Sequence, residues 1–142
     1  MEAVTEAGEV ARSEQLSDLI KNFPFWFCKN YYKYRNNEAA LPFDQHFLLA
    51  ANAPHRVYVA SASEDSYACP KNEYLSCIEA GKYYESLGFT GFITDKELPA
   101  ENDVFHDGYV GYHLRPGMHY ISRYDWQRYI EYLIKHKLSI SN

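Results

Sequence analysis

The sequence predicts an α/β fold in which a few parallel strands are flanked by helices. Two β-rich runs, residues 56–62 and 109–114, lack the strict polar–apolar alternation of an open sheet, so each is expected to be a strand covered on both faces. Helical patterns precede, separate and follow these two runs. This alternation of helix and strand is typical of a parallel sheet with helices on its faces.

The chain before the first strand is predicted to be mostly helical. Residues 1–12 are small and acidic and are expected to form a flexible N-terminal segment, with one domain over residues 13–142. A short helix is predicted over residues 13–21, with Ser13 as its N-cap and an apolar face. The aromatic run at residues 23–27 is too apolar to be expected on the surface, so we expect it to be buried.

Proline and glycine mark the helices on either side of the first strand. A helix is predicted over residues 41–51, with a proline in its first turn, and Pro54 is expected to end it. Pro70 is expected to begin the helix that follows the strand, and Gly88 to end it. A short strand at residues 92–93 is the only regular element expected between this helix and the second firm strand.

The last helix is predicted to begin after Ser122, its N-cap, and to pack through the apolar residues that recur at helical spacing. That face consists of Trp126, Tyr129, Ile130, Leu133 and Ile134. Two buried strands cannot by themselves satisfy their edges and faces. The sheet is therefore expected to be incomplete, and the chain to expose apolar surface and self-associate.

Composition and charge exclude several classes of partner. The formal net charge is −5 and no run of Lys or Arg exceeds two, which argues against nucleic acid. No apolar stretch approaches the roughly 20 residues that span a membrane. The three cysteines form no C-x-x-C pair, and the first residues do not resemble a signal peptide, so a cytoplasmic location is expected unless a longer protein carries a secretion signal. Fourteen tyrosines would suit a carbohydrate-facing surface, a protein-facing surface or a core.

The most informative segment places a histidine between the second strand and the last helix. His119 follows a Pro-Gly turn, so a rigid scaffold holds it while its imidazole can reach a cleft. An imidazole titrates near neutral pH, and a loop of this kind is a common position for a general base. The alternative is a loop histidine that simply hydrogen-bonds to a neighbour.

Four stretches resemble the C-terminal portion of the glucuronoyl esterases, carbohydrate esterase family 15, and of related bacterial sugar esterases described as acetyl xylan esterases. They occur in the family's order and with its rough spacing. The stretches are Asn22-Phe-Pro-Phe-Trp-Phe-Cys28, Leu41-Pro-Phe-Asp-Gln-His46, Val59-Ala-Ser-Ala-Ser-Glu-Asp65 with Glu73-Tyr-Leu, and Gly111-Tyr-His-Leu-Arg-Pro-Gly-Met-His119 with Tyr124-Asp-Trp126. The resemblance implies the C-terminal part of an α/β-hydrolase three-layer sandwich.

The resemblance also implies roles for two residues in a Ser-acid-His triad. His119 lies where the family has its triad histidine, and Asp65 lies just past the first strand, where many α/β-hydrolases place the acid. The acid would accept the imidazole Nδ1–H, fix the tautomer and stabilise the imidazolium. Glu64, its neighbour, and Glu6, in a weak Glu-x-Gly match to the family's other acid position, remain alternatives for the acid.

Two further residues match family positions that contact the sugar. Glu14 matches a glutamate that contacts sugar hydroxyls, although a charge at a helix N-terminus is the simpler explanation. Tyr67 stands in the loop after the acid, where the family often has a tryptophan against the sugar. The tyrosine can still lie against a sugar face, but it departs from the tryptophan that the family often has there.

A nucleophile elbow of the G-x-S-x-G type does not occur in these 142 residues. Ser61, Ser63 and Ser66 are close to the acid in sequence, but none is flanked by the required glycines. The chain alone is therefore expected to be inactive as an esterase, and its partners are expected to be a carbohydrate ester substrate and either a missing N-terminal half or a second copy.

Two other interpretations remain. One is a non-catalytic remnant domain that self-associates through its exposed strand edges. The other is a metal site whose ligands would be Asp103, His106, Asp107, His113 and His119. The histidines of this set lack the close spacing that is typical of metal ligands. The preferred interpretation, the C-terminal part of a serine esterase, requires no metal or other cofactor.

Overall fold

The structure, a computed structural model, describes residues 2–4, 10–12 and 14–138. The chain forms two compact units. The first comprises Met1–Asp44 and Ser66–Ala68, and the second comprises Gln45–Asp65 and Cys69–Asn142. The predicted α/β fold is confirmed, because a small sheet and its helices make up the second unit.

The first unit begins with two short strands, β1 (Glu2–Val4) and β2 (Val10–Arg12), which pair antiparallel. These strands lie in the segment expected to be flexible, and that flexibility stays a prediction. Helix α1 (Leu16–Asn22) begins later than predicted, because Asp18 accepts a hydrogen bond from the Gln15 backbone N–H at 3.0 Å and so fixes the start of the helix. Ser13, the predicted N-cap, lies outside the described residues.

The aromatic run after α1 is not buried, and that prediction is wrong. A 3₁₀ turn, Pro24–Trp26, exposes 98% of Phe25 and most of Trp26. The rings of Phe23 and Trp26 stack on each other with centroids 4.1 Å apart, and Phe27 stacks on Tyr31 with centroids 5.3 Å apart. Two more 3₁₀ turns follow, Tyr31–Tyr34 and Glu38–Ala40.

The helix predicted over residues 41–51 is much shorter. Helix α2 spans only His46–Ala50, within the second unit. Leu41, which precedes a proline, has extended backbone (φ −60°, ψ 134°), since the proline ring disfavours helical geometry in the residue before it. The proline therefore lies outside the helix rather than in its first turn.

The sheet contains β3 (Val57–Ala62), β4 (Val104–Phe105) and β5 (Val110–Arg115) in the order β3-β5-β4. Strands β3 and β5 are parallel and in register along their whole length, while β4 is antiparallel to β5. The short strand expected at residues 92–93 is absent from the described part of the chain. Just before it, the Thr90 and Gly91 carbonyls each accept one hydrogen bond, from the N–H groups of Tyr109 and Val110 at the start of β5.

Helix α3 (Pro70–Ser86) begins and ends where predicted, and Gly88 follows it with φ +85°. Its buried side chains are Tyr74, Cys77, Ala80 and Tyr84, which form one core with Val110, Tyr112, Leu114 and Phe92. Gly81 allows the close approach to the next segment, since a Cβ there would lie 2.6 Å from the Phe92 backbone nitrogen. This contact fixes the helix against the chain that leads into β4.

Helix α4 (Arg123–Leu138) packs through a face that lies beside the predicted one and shares only Tyr129 with it. Its buried residues are Asp125, Tyr132 and His136, and they hydrogen-bond to β5 and to the segment before it. Tyr129 is half-buried against Tyr58. The remaining residues of the predicted face are each more than half exposed, namely Trp126, Ile130, Leu133 and Ile134.

All three cysteines are free thiols; Cys28 is exposed, whereas Cys69 and Cys77 are buried. Among the residues that the structure describes, no helix combines the length and the apolar character needed to cross a bilayer.

Candidate active site

The carboxyl ends of β3 and β5 bring two sequence-distant loops to one edge of the sheet. Ala62 pairs with Arg115 at the last step of the parallel ladder, so both strands end together. The two loops are then joined by backbone hydrogen bonds. The Ser63 N–H donates to the Arg115 carbonyl at 2.9 Å, and the Glu64 N–H donates to the Gly117 carbonyl at 3.0 Å.

These loops place His119 and Asp65 in direct contact. The His119 Nδ1 atom lies 2.5 Å from Asp65 Oδ2. The Asp65 side chain is only 9% exposed, whereas that of His119 is 86% exposed. With Nδ1–H donated to the carboxylate, Nε2 faces outward with a lone pair that can accept a proton. The arrangement is suited to a general base whose tautomer is fixed by a buried acid.

The turn after β3 holds the acid in place. The Asp65 N–H donates to the Ala62 carbonyl at 3.1 Å, and the Asp65 carbonyl accepts from the Cys69 N–H at 3.2 Å. Cys69 has left-handed backbone (φ 56°) and leads directly into α3 at Pro70. Of the alternatives for the acid, the Glu64 side chain is exposed, and Glu6 lies outside the described residues.

Two of the three serines near Asp65 have other partners than His119. The Ser61 hydroxyl donates to Glu73 Oε2 at 2.5 Å, and the Ser63 hydroxyl donates to Glu101. Burial raises the pKa of Glu73; the hydrogen bond from Ser61 opposes that rise, and the charge of Asp65 adds to it. Glu73, in the first turn of α3, is a further acid near this edge that sequence reasoning missed, although it lies in a stretch that carries the family resemblance.

In the first unit, the two residues predicted to contact sugar lie together. Glu14 and Tyr67 line an open cavity of about 280 Å³, and the Glu14 N–H donates to the Tyr67 carbonyl at 3.2 Å. Asp18 and Asn22 complete the lining and were missed. Glu14 precedes α1, and Asp18 and Asn22 lie within it; their i, i+4, i+8 spacing is the signal that could have found the last two.

The residues considered for a metal site are engaged elsewhere. Asp103 pairs with Lys96, and Asp107 with Lys135, while His119 contacts Asp65. No group of three or more His, Cys, Asp or Glu residues suited to a metal ion occurs in the described ranges.

Two of the histidines considered for metal instead join a partly buried hydrogen-bond network that links β3, β5 and α4. Tyr58 Oη lies 2.7 Å from His106 Nε2 and 3.1 Å from His113 Nδ1, and His113 Nε2 lies 2.9 Å from Asp125 Oδ1. Burial lowers the pKa of His113 and also lowers that of His106, to about 4. Both rings are therefore neutral at pH 7. Neutral rings allow one consistent set of donors, in which His106 donates to Tyr58, Tyr58 to His113, and His113 to Asp125.

Comparison with known proteins identifies similar chains. The family described as "Glucuronyl esterase, fungi" matches residues 2–88. The carbohydrate esterase MZ0003, from an unknown prokaryotic organism, is 42% identical over 123 residues, which is 87% of this chain and 28% of that protein. The 4-O-methyl-glucuronoyl methylesterase 1 of Wolfiporia cocos is 34% identical over 91 residues, 62% of this chain and 22% of that one.

Solved structures show the same partial similarity. A promiscuous CE15 esterase from a marine bacterial metagenome superposes with a TM-score of 0.80 at 39% identity, over 84% of this chain and 30% of that one. A glucuronoyl esterase from Solibacter usitatus gives a TM-score of 0.75 at 39% identity, over 82% and 29% of the two chains. The chain thus spans less than a third of the length of these relatives.

Proposed function

Because this chain belongs to the glucuronoyl esterase family, we propose that it is the C-terminal part of a serine hydrolase that cleaves carboxylic esters on plant-cell-wall sugars. The bonds cleaved are glucuronoyl or acetyl esters of xylan. The observation that carries the proposal is the contact between His119 Nδ1 and Asp65 Oδ2 at the carboxyl edge of two parallel strands. This edge is where α/β folds place their reactive groups.

In this proposal His119 is the general base and Asp65 the triad acid. Nε2 of His119 takes the proton of a serine hydroxyl as the serine oxygen attacks the ester carbonyl. The tetrahedral intermediate then expels the sugar or other alcohol, which receives that proton from His119. Water, activated by the same imidazole, releases the acid and restores the serine. Asp65 keeps the Nδ1–H in place and stabilises the imidazolium in both steps.

The nucleophile is proposed to come from an N-terminal part of the hydrolase. In this fold the serine precedes the acid and the histidine, and this chain covers only 28% and 30% of the length of the two relatives. Among the described residues, β3 is paired only with β5, so its other edge is open to a further strand. The exposed apolar face of α4 would also be covered by added structure.

The cavity of the first unit is proposed to bind the sugar. The exposed ring of Tyr67 offers a flat apolar surface to a pyranose face. The carboxylates of Glu14 and Asp18 can accept hydrogen bonds from sugar hydroxyls, and the Asn22 amide can both donate and accept. The donor and acceptor set fits a polyhydroxylated ligand better than an apolar one.

A chimera tests this proposal. Residues 14–138 of this chain would replace the matching segment of the carbohydrate esterase MZ0003, which supplies the rest of the hydrolase. We expect the chimera to hydrolyse a glucuronoyl methyl ester or an acetylated xylan fragment, and His119→Ala to abolish that hydrolysis. His55→Ala, at an exposed histidine of the same unit, is the matched control and should retain full activity.

Two results would contradict the proposal. The first is a folded chimera that is inactive on both esters, and the second is full activity with His119→Ala. Either would favour the alternative, a non-catalytic domain that associates with a second copy through its exposed apolar surface. The specific observation behind that alternative is the apolar face of α4.

A further inference from the structure

The loop that carries His119 is wound around one buried guanidinium. Arg115 is the last residue of β5 and is only 4% exposed. Its Nη1 donates to the Pro116 carbonyl at 3.0 Å, and its Nη2 donates to the Met118 carbonyl at 3.1 Å and to the Tyr120 carbonyl. The acceptors include the residues immediately before and after His119. The backbone on both sides of the imidazole is therefore tied to one side chain.

Two further contacts shape the loop around that group. The Tyr120 ring lies over the guanidinium, with its centroid 4.3 Å from the central carbon. Gly117 adopts left-handed backbone at φ +103°, and a Cβ there would lie 3.2 Å from Arg115 Nη1. Glycine therefore allows the turn to close on the guanidinium without strain.

The other end of Arg115 is anchored to α4. Its Nε donates to both carboxylate oxygens of Asp125, at 2.9 and 3.0 Å. Asp125 also accepts from the Ser122 hydroxyl and from His113. Burial alone would raise the pKa of Asp125, but the hydrogen bonds from Ser122, His113 and Arg115 outweigh it and lower that pKa. The ion pair is thus buried with its hydrogen-bonding groups satisfied, which is the condition under which such a pair is tolerated.

We propose that Arg115 is a positioning residue for His119, which holds the imidazole against Asp65 by fixing the loop backbone on both sides of it. The inference rests on the proposed function, since it takes His119 as the base. The His119 side chain is 86% exposed, so packing contributes little to its orientation. Besides the contact with Asp65, the orientation depends on the loop backbone; Glu64 binds that backbone at Gly117, and Arg115 binds it on both sides of His119.

Lysine cannot replace arginine in this role. The guanidinium has five donors in a fixed planar fork, and here they are shared between one carboxylate and three carbonyls. An ammonium group has three donors on one nitrogen and cannot reach the carboxylate and all three carbonyls together. Arg115→Lys should therefore keep the buried charge but release the loop.

The tautomer of His119, measured by ¹⁵N NMR on the full 142-residue chain, tests the inference. In the wild-type protein at a pH where the ring is neutral, we expect the Nδ1–H form, since Nδ1 donates to Asp65. Asp65→Ala should shift the ring toward the mixture of a free imidazole. Arg115→Lys and Arg115→Met should cause the same loss as Asp65→Ala.

A matched control separates positioning from general stability. Phe92→Leu removes core volume remote from the loop and should lower the free energy of unfolding while leaving the Nδ1–H form intact. If Arg115→Met does not fold, Arg115→Lys provides the measurement. In the active chimera, Arg115→Lys should lower kcat and leave KM nearly unchanged.

The outcomes distinguish this inference from the proposed function. A wild-type chain without the Nδ1–H form would contradict the pairing of His119 with Asp65, and with it the proposed function. A wild-type chain that has this form, and a folded Arg115→Lys variant that retains it, would overturn the positioning role alone. The positioning role would also be overturned if Phe92→Leu lost the Nδ1–H form of His119 to the same extent as Arg115→Lys.

Discussion

Ala62 and Arg115 are paired across the last step of a parallel ladder, and each is followed at once by a loop of the candidate site. The pairing fixes where both loops begin, and the backbone hydrogen bonds from Ser63 and Glu64 fix how they continue. Asp65 and His119 meet because the register of the strands leaves them little freedom to separate.

Asp65, rather than the adjacent Glu64, is predicted to be the triad acid. In the active chimera Asp65→Asn should lower kcat by on the order of 10⁴, because an amide favours the wrong imidazole tautomer. Glu64→Gln is the matched control, since the Glu64 side chain is exposed, and it should change kcat little. Equal losses in the two variants, or a loss only in Glu64→Gln, would assign the acid differently.

The apolar face of α4 is predicted to make the chain self-associate when no other part of the hydrolase covers it. Size-exclusion chromatography with light scattering should show dimers or larger species, and ANS fluorescence should be high. The double substitution Ile130→Glu and Leu133→Glu should favour the monomer, because both side chains are more than half exposed and lie on one helical face. A monodisperse wild-type monomer with low ANS binding would contradict the prediction.

Because α3 lies so close to the segment after it, a substitution at Gly81 is predicted to lower the free energy of unfolding. Gly81→Ala would place a Cβ 2.6 Å from the Phe92 backbone nitrogen, so the helix or the segment must move. Overpacking of this kind costs about 1–3 kcal/mol in the free energy of unfolding. Chemical denaturation measures it, with the exposed Ser86→Ala of the same helix as the control; equal stability of the two variants would show that the contact is not tight.

The partly buried histidine network predicts how stability depends on pH. Burial lowers the pKa of His106 from 6.5 to about 4, so the unfolded chain binds a proton more readily than the folded one. The contribution of neutral His106 to the free energy of unfolding is therefore fully present above pH 6.5 and is lost as the pH falls from 6.5 toward 4. His106→Gln should flatten the pH dependence of the free energy of unfolding over that range, since its amide can still donate to Tyr58. An unchanged slope would exclude His106 as the source.

The helix that begins at a proline and ends before a glycine could be predicted from the sequence, and the elements whose position depends on tertiary contacts could not. Pro70 and Gly88 mark α3 because their backbone preferences act locally. For helix α4 the apolar periodicity predicted the wrong buried face, since its most apolar stripe is exposed while Asp125 and Tyr132 are buried. Hydrogen bonds to buried partners determine which face of α4 is buried, and a hydropathy pattern cannot reveal such bonds.

The site shows the same division. His119 and Asp65, which the structure brings into contact, could be selected because motif residues and the family resemblance mark them in the sequence. Asp18 follows Glu14 at helical spacing and was within reach of the same reasoning. The role of Arg115 could not be predicted in this way, because its partners in the loop are backbone carbonyls. Every residue has such a carbonyl, so no residue type in the sequence marks the acceptor.

A double-mutant cycle on the active chimera tests most directly whether His119 and Asp65 act as one unit. The kcat/KM on the glucuronoyl methyl ester would be measured for His119→Ala, Asp65→Ala and the double variant. We predict that the double variant is no slower than His119→Ala alone, because Asp65 acts only through that imidazole. Losses that multiply would show that the two residues work independently and would contradict the account.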